Sequence, residues 1–146
     1  MMRRPESRSP VSMPPRWVRV RGGGYAAPGV HGSGLAPRLE HRSEPSAGSL
    51  HAWRLQVSGA DSARADLDLE DDDCFEVAGR ETGYRRFGHT VGRVPVLTDQ
   101  WLWVVDGIGH QLVGTVAAAE YEDYCDVFES VAETFDPHAD RQSRSA

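Results

Sequence analysis

"TDQWLWVVDGIGHQLVGTV", residues 98–116, decides the fold of this chain. Two tryptophans stand two residues apart, Asp106 and Gly107 follow them, and the chain then returns past His110. An Asp-Gly pair between two alternating segments predicts a two-residue type I′ turn, because glycine tolerates the positive φ that this turn requires. We therefore expect a β-hairpin centred on Asp106-Gly107.

The turn fixes which side chains of the hairpin share a face, because successive side chains of a strand alternate faces. One face then carries three cross-strand pairs: Val105 with Ile108, Trp103 with His110, and Trp101 with Leu112. The opposite face is less apolar and carries Gln100, Leu102, Val104, Gly109, Gln111 and Val113. We expect His110 to pack beside the tryptophans, since the sequence places no catalytic partner at triad spacing.

The segment after the hairpin, residues 119–135, predicts an amphipathic helix. Its apolar residues recur at helical spacing and form one stripe: Tyr121, Tyr124, Cys125, Phe128, Val131, Ala132 and Phe135. Acidic residues crowd the first turn, where the helix dipole favours negative charge, and Pro137 ends the helix. We expect this helix to lie across the tryptophan face of the hairpin.

The segments before the hairpin give weaker signals. Residues 13–20 predict a short strand, residues 21–34 a loop rich in glycine, and residues 35–43 an edge strand. Ser49 suits a helix N-cap, because apolar residues follow it at helical spacing, namely Leu50, Trp53 and Val57. We expect this helix to continue through Leu67 and Leu69 and to close in the acidic run 66–73.

Two further strands are expected between that helix and the hairpin. Residues 74–79 predict the first, and residues 83–91 predict the second. In the second strand Phe87, His89 and Val91 share one side. The whole pattern predicts an α+β fold.

Composition and charge bound the class of protein. The chain has 146 residues, enough for one stable domain, which we expect to span residues 13–137 between a disordered leader, 1–12, and a disordered tail, 138–146. All 16 basic residues are Arg, a bias typical of a high-GC bacterial genome. Residues 1–60 carry nine Arg against three Glu, but they lack any nucleic-acid-binding motif, so we expect no nucleic acid as a partner.

The sequence also predicts where the protein resides. No stretch has the length and apolar character of a membrane span, and the residues after "MMRR" lack the apolar core of a signal peptide. Two cysteines, Cys74 and Cys125, are too few for a disulfide framework. We therefore expect a cytoplasmic protein with no membrane partner.

No catalytic or cofactor-binding motif survives inspection. The histidines and cysteines lack the short paired spacing of zinc sites, and the acidic run 66–73 lacks the sixth-position glycine of a calcium loop. With no lysine in the chain, the glycine-rich segments cannot form a phosphate-binding loop of the Walker type. We expect no enzyme activity, no cofactor and no metal.

The pattern resembles the Mog1/PsbP-like domains, and above all their actinobacterial branch, which includes the LpqN/LpqT lipoproteins. The resemblance rests on "MPPRW", "LAPRLEHRSEP", "VAGRETGYRRFGHTV", the return strand "HQLVGTV" and the helix "YEDYCDVFESVAETFDP". It implies an antiparallel β-sheet flanked by helices, an α/β/α sandwich with the C-terminal amphipathic helix packed on the sheet. The resemblance also implies a binding subunit. The acylated N-terminal cysteine of the lipoproteins is not matched here.

Three hypotheses about function follow. The favoured one is a non-enzymatic protein-interaction module, an adaptor or chaperone for an exported bacterial protein. Its binding surface would lie on the sheet face or edge away from the last helix, near Tyr84, Arg86 and Gln111, and it would also allow homodimerisation through strand 35–43.

The second hypothesis is a small-ligand or lipid-binding domain with a pocket between the sheet and the first helix. Residues too small to fill the core there would line that pocket, at Ala60, Ala63 and Ala65. The third is an enzyme that uses His89 or His110 with Asp106. Binding of ligand by the native protein separates the second hypothesis from the first.

Overall fold

A computed structural model describes residues 9–46, 48–61 and 66–138 of the chain. They form one antiparallel sheet of seven strands with a helix on each face, which confirms the predicted α+β architecture. The strands are β1 (Val18–Arg19), β2 (Tyr25–Ala26), β3 (Arg38–Pro45), β4 (Asp68–Val77), β5 (Arg80–Val91), β6 (Val94–Val105) and β7 (Ile108–Ala117). The helices are α1 (Leu50–Asp61) and α2 (Tyr121–Glu133), and a 3-10 turn, Ala118–Glu120, precedes α2.

The strands lie in the order β1-β2-β3-β7-β6-β5-β4. After β3 the chain passes through α1 to the far edge of the sheet, at β4, and returns by three successive hairpins until β7 pairs with β3. This route places β3, from the first third of the chain, three strands away from β5. Side chains from distant parts of the sequence therefore share each face of the sheet.

The predicted central hairpin is confirmed in its turn and its register. Asp106 and Gly107 both have positive φ, at 51° and 76°, as a type I′ turn requires. The cross-strand pairs are those expected: Val105 with Ile108, Trp103 with His110, and Trp101 with Leu112. The face that these residues share is hereafter the α2 face, because α2 packs on it.

The core under α2 confirms the predicted position of the last helix. Phe128, Val131 and Ala132 of α2 are buried against strand side chains of this face. Beyond the helix end, Phe135 stacks on Trp103 with ring centroids 4.0 Å apart and an interplanar angle of 8°. Burial of large aromatic groups of this kind stabilises a domain by several kcal/mol per residue pair, roughly 1.5–3 kcal/mol for each side chain.

Helix α1 packs on the opposite face, hereafter the α1 face. Its N-cap is as predicted, since the Ala52 backbone N–H donates to Ser49 Oγ at 3.0 Å. Trp53 is completely buried, and its Nε1 donates to the carbonyl oxygen of His110 at 3.0 Å. Its indole lies so close over Gly109 that a Cβ there would stand 2.5 Å from a ring carbon. Glycine at 109 therefore lets α1 reach the sheet.

The acidic run does not belong to the first helix, which is a correction. Helix α1 ends at Asp61, and residues 68–77 form strand β4 at the edge of the sheet. Leu67 and Leu69 stand two residues apart, a spacing that suits a strand better than a helix. The acidic strand also pairs with a basic one, because Asp71 and Asp72 stand opposite Arg86 and Arg85 of β5.

Strand β3 is an edge strand only beyond Leu39, and residues 21–34 are not entirely loop. Tyr25 and Ala26 form the short strand β2, which pairs with Leu39 and Arg38 of β3. Two residues make too weak a local pattern to be predicted, and the strand exists because β3 offers it an edge. The proposed dimer contact through residues 35–43 would therefore have to use the part of β3 beyond Leu39.

The predicted leader is also too long. Val11 is 3% exposed and packs in the core under α2, and the carbonyl oxygen of Pro10 accepts from the Asp136 N–H at 2.7 Å. One buried valine in a polar, proline-rich stretch gives little signal, which explains the misassignment. Residues 1–8 and 139–146, for which disorder is predicted, lie outside the described residues. In the described ranges, no helix is both long and apolar enough to cross a membrane.

Candidate functional site

Helix α1 leaves part of its own sheet face uncovered, and this part forms a trough of about 520 Å³. The floor comes from β6 and β7, one wall from β3, and the other wall from β5. Trp53 and Val57 of α1 pack on Leu102 and so occupy the neighbouring part of the same face. Neither helix contributes a residue to the lining of the trough.

The floor of the trough is polar and internally hydrogen-bonded. Thr98 and Thr115 Oγ1 atoms lie 3.1 Å apart across β6 and β7, and Gln100 Nε2 donates to Gln111 Oε1 at 3.0 Å. Behind them the buried Arg85 donates from Nη1 to Gln100 Oε1 at 3.3 Å. These bonds satisfy polar side chains that sheet burial would otherwise leave unpaired. They also hold the floor side chains in fixed positions.

The β3 wall is basic. Arg38, Glu40 and Arg42 alternate with residues of the other face, so all three point into the trough. Arg38 Nη2 donates to the carbonyl oxygen of Gly23 at 3.0 Å, and Arg42 Nη2 donates to Glu40 Oε2 at 2.8 Å. With Arg21 at the rim, the lining carries three arginines and one carboxylate. The trough is therefore positive in a chain whose net charge is −6.

The β5 wall is largely apolar. Phe87, His89 and Val91 share this wall, as the sequence predicts, and they stand against Thr98, Val96 and Val94 of β6. Phe87 is buried, whereas Val91 is 42% exposed. The guanidinium of Arg85 lies 5.5 Å from the centroid of the Phe87 ring. Phe87, Val91 and Val96 give this side of the trough its apolar character.

The small-ligand hypothesis placed its pocket beneath the first helix, and the structure corrects that position. The space beneath α1 is filled by Trp53 and Val57, which are both buried. Ala60 is exposed, and Ala63 and Ala65 lie outside the described residues. A pocket on this face therefore lies beside α1 and not under it.

The three residues of the predicted interaction surface do not lie together. Gln111 lies in the floor of the trough, on the face away from α2 as expected. Tyr84 and Arg86 point to the α2 face, where Arg86 Nη1 donates to Tyr121 Oη at 3.5 Å. The misplacement has a simple cause, because β5 side chains alternate and Phe87 points to the opposite face from both.

Tyr84 instead belongs to a buried carboxylate cluster under α2. Tyr84 and Tyr121 both donate their hydroxyl hydrogens to Asp99. Tyr121 Oη lies 3.0 Å from each carboxylate oxygen of Asp99. Asp99 is 2% exposed, and burial raises its pKa above the usual aspartate value. Burial likewise raises the pKa of both tyrosines. The cluster joins β5, β6 and the start of α2, which indicates a structural role.

His110 packs, as predicted, but it has a partner that the sequence did not show. His41 Nε2 and His110 Nδ1 lie 3.1 Å apart, and Phe135 contacts His110 edge-on at 5.1 Å. Burial, and then the neighbouring His110, lower the pKa of His41 to about 4. Burial also lowers the pKa of His110, with Arg80 adding to the effect. Both imidazoles are therefore neutral at pH 7.

The remaining candidates from the sequence, apart from His89, do not line the trough. Cys74 is exposed on β4, Cys125 is half-buried on α2, and both are free thiols. His89 lines the trough, whereas Asp106 lies in the hairpin turn at the other end of the sheet. In the ranges that the structure describes, no three His, Cys, Asp or Glu side chains are grouped to hold a metal.

Sequence reasoning missed the trough, although part of its signal was visible. The less apolar face of the hairpin, with Gln100 and Gln111, is its floor. The alternation of Arg38, Glu40 and Arg42 marks one polar face of β3. What could not be read from the sequence is that β3 and β5 face each other across that floor, because this follows from the crossover through α1.

No family model matches this chain, and no curated protein matches it. Solved structures do resemble it. PA94 of Pseudomonas aeruginosa, a protein of unknown function described as a regulator, superposes with a TM-score of 0.66 and 11% identity over 86% of this chain and 88% of its own.

Two further structures have the same fold. LpqN, involved in cell envelope biogenesis of Mycobacterium tuberculosis, has a TM-score of 0.64 and 12% identity over 84% of this chain and 79% of its own. Cyanobacterial PsbP from Synechocystis has a TM-score of 0.52 and 15% identity over 84% of this chain and 82% of its own. The chain therefore has the Mog1/PsbP-like fold that its sequence resembles.

Proposed function

From a Mog1/PsbP-like fold with an uncovered trough, we propose that this chain is a non-catalytic protein-interaction module. It holds a segment of a partner protein in the trough between β3 and β5. The observation that carries the proposal is the trough itself, which is preformed, has a volume of about 520 Å³ and is covered by neither helix. Function in such folds depends on the site and not on the architecture.

The chemistry of the trough supports binding. In its floor the half-buried Thr115 and Gln111 present a hydroxyl and an amide group, which can both donate and accept hydrogen bonds, and the buried Thr98 and Gln100 bond to them from below. Side chains of this kind, fixed by their own hydrogen bonds, can pair with the backbone of a bound segment. On the β5 wall the exposed Val91 adds apolar surface that a partner would remove from water, at roughly 25 cal/mol per Å².

The positions of the reactive groups support a non-catalytic role. Asp99, the carboxylate with the raised pKa, is enclosed under α2 by two tyrosines and is not accessible from the trough. His110 is enclosed by His41 and Phe135 on the same face. A substrate in the trough would therefore meet neither group.

The proposed partner is an exported bacterial protein, for which this chain acts as an adaptor or chaperone. Among the structural neighbours, LpqN takes part in cell envelope biogenesis, and envelope pathways handle exported proteins. The resemblance of the sequence to the actinobacterial branch of the fold points the same way. A homodimer is the other protein partner to be tested.

A second candidate is binding of a small amphiphile in the same trough. Its volume favours this, since small-molecule sites usually enclose about 300–1,000 Å³ and are mostly apolar with a few polar groups. Native mass spectrometry of the purified protein distinguishes the two candidates. A retained mass of a few hundred daltons supports the amphiphile, and a bare chain supports the protein partner.

Site-specific photo-crosslinking tests the proposal directly. A benzophenone amino acid replaces Gln111 in the trough floor, and a matched variant carries it at Glu129, which is exposed on α2. Irradiated in the cells that produce the protein, the Gln111 variant is expected to form an adduct with a discrete protein that the Glu129 variant does not form. Identical adducts from both positions, or none at Gln111, would contradict the proposal.

A further inference from the structure

Strand β4 forms one edge of the sheet, and its outer side is open. It stands last in the strand order, and among the residues that the structure describes it pairs with β5 alone. It is ten residues long, and its residues from Asp68 to Glu76 are exposed. An edge of this length offers a row of backbone N–H and C=O groups to which an extended segment can add as a further strand.

The turn after β4 shows which backbone groups point outward. Ala78 and Gly79 have positive φ, at 49° and 82°, so Val77 and Arg80 flank a two-residue turn and exchange both ladder hydrogen bonds. Since these bonds alternate along an antiparallel pair, the backbone groups of every second residue of β4 point away from β5. By this alternation Cys74 points outward, and its N–H donates to Asp73 Oδ1 at 2.7 Å. The carbonyl oxygen of an added strand can take the place of that carboxylate.

The charge of β4 determines which segments its edge can accept. The strand contains no basic residue, and its acidic residues are Asp68, Glu70, Asp71, Asp72, Asp73 and Glu76. Two copies of this strand placed edge to edge would set carboxylates beside carboxylates, and like charges on neighbouring strands destabilise a sheet. The edge is therefore protected against a second copy of the chain, whereas a basic segment is complementary to it.

Two of the carboxylates already have arginine partners inside the domain. Arg54 Nη2 of α1 lies 2.6 Å from Asp72 Oδ1, and Arg86 Nε of β5 lies 3.5 Å from Glu70 Oε2. Within the described ranges three other carboxylates of the strand take part in no ion pair, namely those of Asp68, Asp71 and Glu76. Cationic side chains of an added strand would therefore meet carboxylates that are not yet neutralised.

The register of β4 also leaves one repulsion that a cation would relieve. Glu76 stands directly opposite Glu81 of β5, and both residues are exposed. Like charges at directly opposite positions of two strands destabilise the pair. A basic side chain of an added strand would lie on the other side of Glu76 and offset this repulsion.

The end of β4 next to its turn is more apolar than the rest of the strand. Phe75 is 42% exposed, and Val77 lies on the same face two residues further on. Most of the carboxylates lie before them, in residues 68–73. An antiparallel segment, which would continue the pattern of this sheet, therefore fits best with apolar residues first and basic residues after them.

We infer that β4 binds an extended segment of a partner protein by strand addition. The segment runs antiparallel to β4, with apolar residues beside Phe75 and basic residues beside residues 68–73. The lining of the trough includes no residue of β4, so this surface is separate from the proposed function. Failure of either proposal would leave the other untouched.

A synthetic ten-residue peptide is the probe, with Val alternating with Thr in its first half and Arg alternating with Thr in its second. Fluorescence anisotropy measures its binding to the full chain in about 0.15 M salt, which screens distant charges. Two N-methylated versions carry the methyl groups at the odd or at the even positions. The N–H groups of a strand point alternately to its two sides, so only one version loses those that face β4.

The variant Asp71→Asn/Glu76→Gln removes two carboxylates from the edge. Its matched control, Glu129→Gln/Glu133→Gln on the exposed side of α2, changes the net charge by the same amount. We expect one methylated peptide to bind at least about tenfold more weakly than the other, because it cannot donate to β4. The edge variant should bind the parent peptide about three- to tenfold more weakly than wild type, and the control should stay within about twofold.

Equal affinities of the two methylated peptides would overturn strand addition, since attraction by charge alone does not distinguish them. Equal weakening in the edge variant and in the control would overturn the assignment to β4, and so would a parent peptide that does not bind. A dimer of the full chain that the parent peptide dissociates would assign the edge to a second copy instead. Analytical ultracentrifugation with and without the peptide detects such a dimer.

Discussion

Gly109→Ala is the substitution that most sharply tests how α1 sits on the sheet. A Cβ at position 109 would lie 2.5, 2.6 and 2.7 Å from three carbons of the Trp53 indole. Carbon atoms in ordinary contact are about 3.5–4.0 Å apart, so the indole would have to move by roughly 1 Å. Trp53 is completely buried, and α1 would move with it.

The cost in free energy of unfolding can be worked out from these contacts. Overpacking of a core usually costs about 1–3 kcal/mol. Displacing the indole also weakens the Trp53 Nε1 bond to the His110 carbonyl oxygen, which is worth about 1 kcal/mol. Replacing glycine in a strand returns about 0.4–1 kcal/mol through the unfolded state. We expect Gly109→Ala to destabilise the protein by roughly 1–3.5 kcal/mol.

Urea denaturation, followed by tryptophan fluorescence and by circular dichroism, measures this change. Gly32→Ala is the matched control, because a Cβ at Gly32 would contact nothing within 4 Å, and it should change stability by less than about 0.5 kcal/mol. In a Trp53→Phe background the smaller ring makes room, so the cost of Gly109→Ala should fall by about 1 kcal/mol or more. Equal effects of Gly109→Ala and Gly32→Ala would refute the close seating of α1.

Two further predictions concern the α2 face. Tyr121→Phe should destabilise the protein by about 1–3 kcal/mol, because it leaves the buried Asp99 without one of its donors; an unchanged urea midpoint would show that water replaces the hydroxyl. The His41 pKa is lowered to about 4 in the folded protein, so the unfolded chain binds the proton first and stability should fall as pH drops from 6.5 towards 4. The lowered pKa would correspond to a loss of about 3 kcal/mol in the free energy of unfolding, which partial exposure of His41 reduces to roughly 1–2 kcal/mol. Thermal unfolding between pH 7 and pH 4 measures this loss. His41→Gln should make the stability less dependent on pH in that range, and an equally steep decline in the variant would assign the loss to other groups.

The sequence predicted the central hairpin and the last helix because their signals are local. Asp106-Gly107 sets both turn type and register, and the stripe ending in Phe135 sets the face of α2. The predicted end of α1 was wrong because Leu67 and Leu69, next to a run of acidic residues, fit neither a helix nor a strand clearly. Residues 68–77 form a strand because they pair with β5.

The candidate site was predicted only in part, for a reason that concerns register. Gln111 lies where it was expected, but Tyr84 and Arg86 lie on the other face of the sheet. The face of a β5 residue depends on its pairing with β6, where Gly83 stands opposite Leu102, and a shift by one residue would exchange the faces. That pairing, like the opposition of β3 and β5, is set by tertiary contacts.

The trough as binding surface is tested most directly by the affinity of Val113→Trp for the protein that crosslinks at Gln111. Isothermal titration calorimetry compares this variant with the wild type and with Glu129→Trp, in which the same ring is added on the outer surface of α2. Binding should weaken at least about tenfold in Val113→Trp and stay unchanged in Glu129→Trp. Equal affinity of all three proteins for the partner would contradict the assignment of the trough.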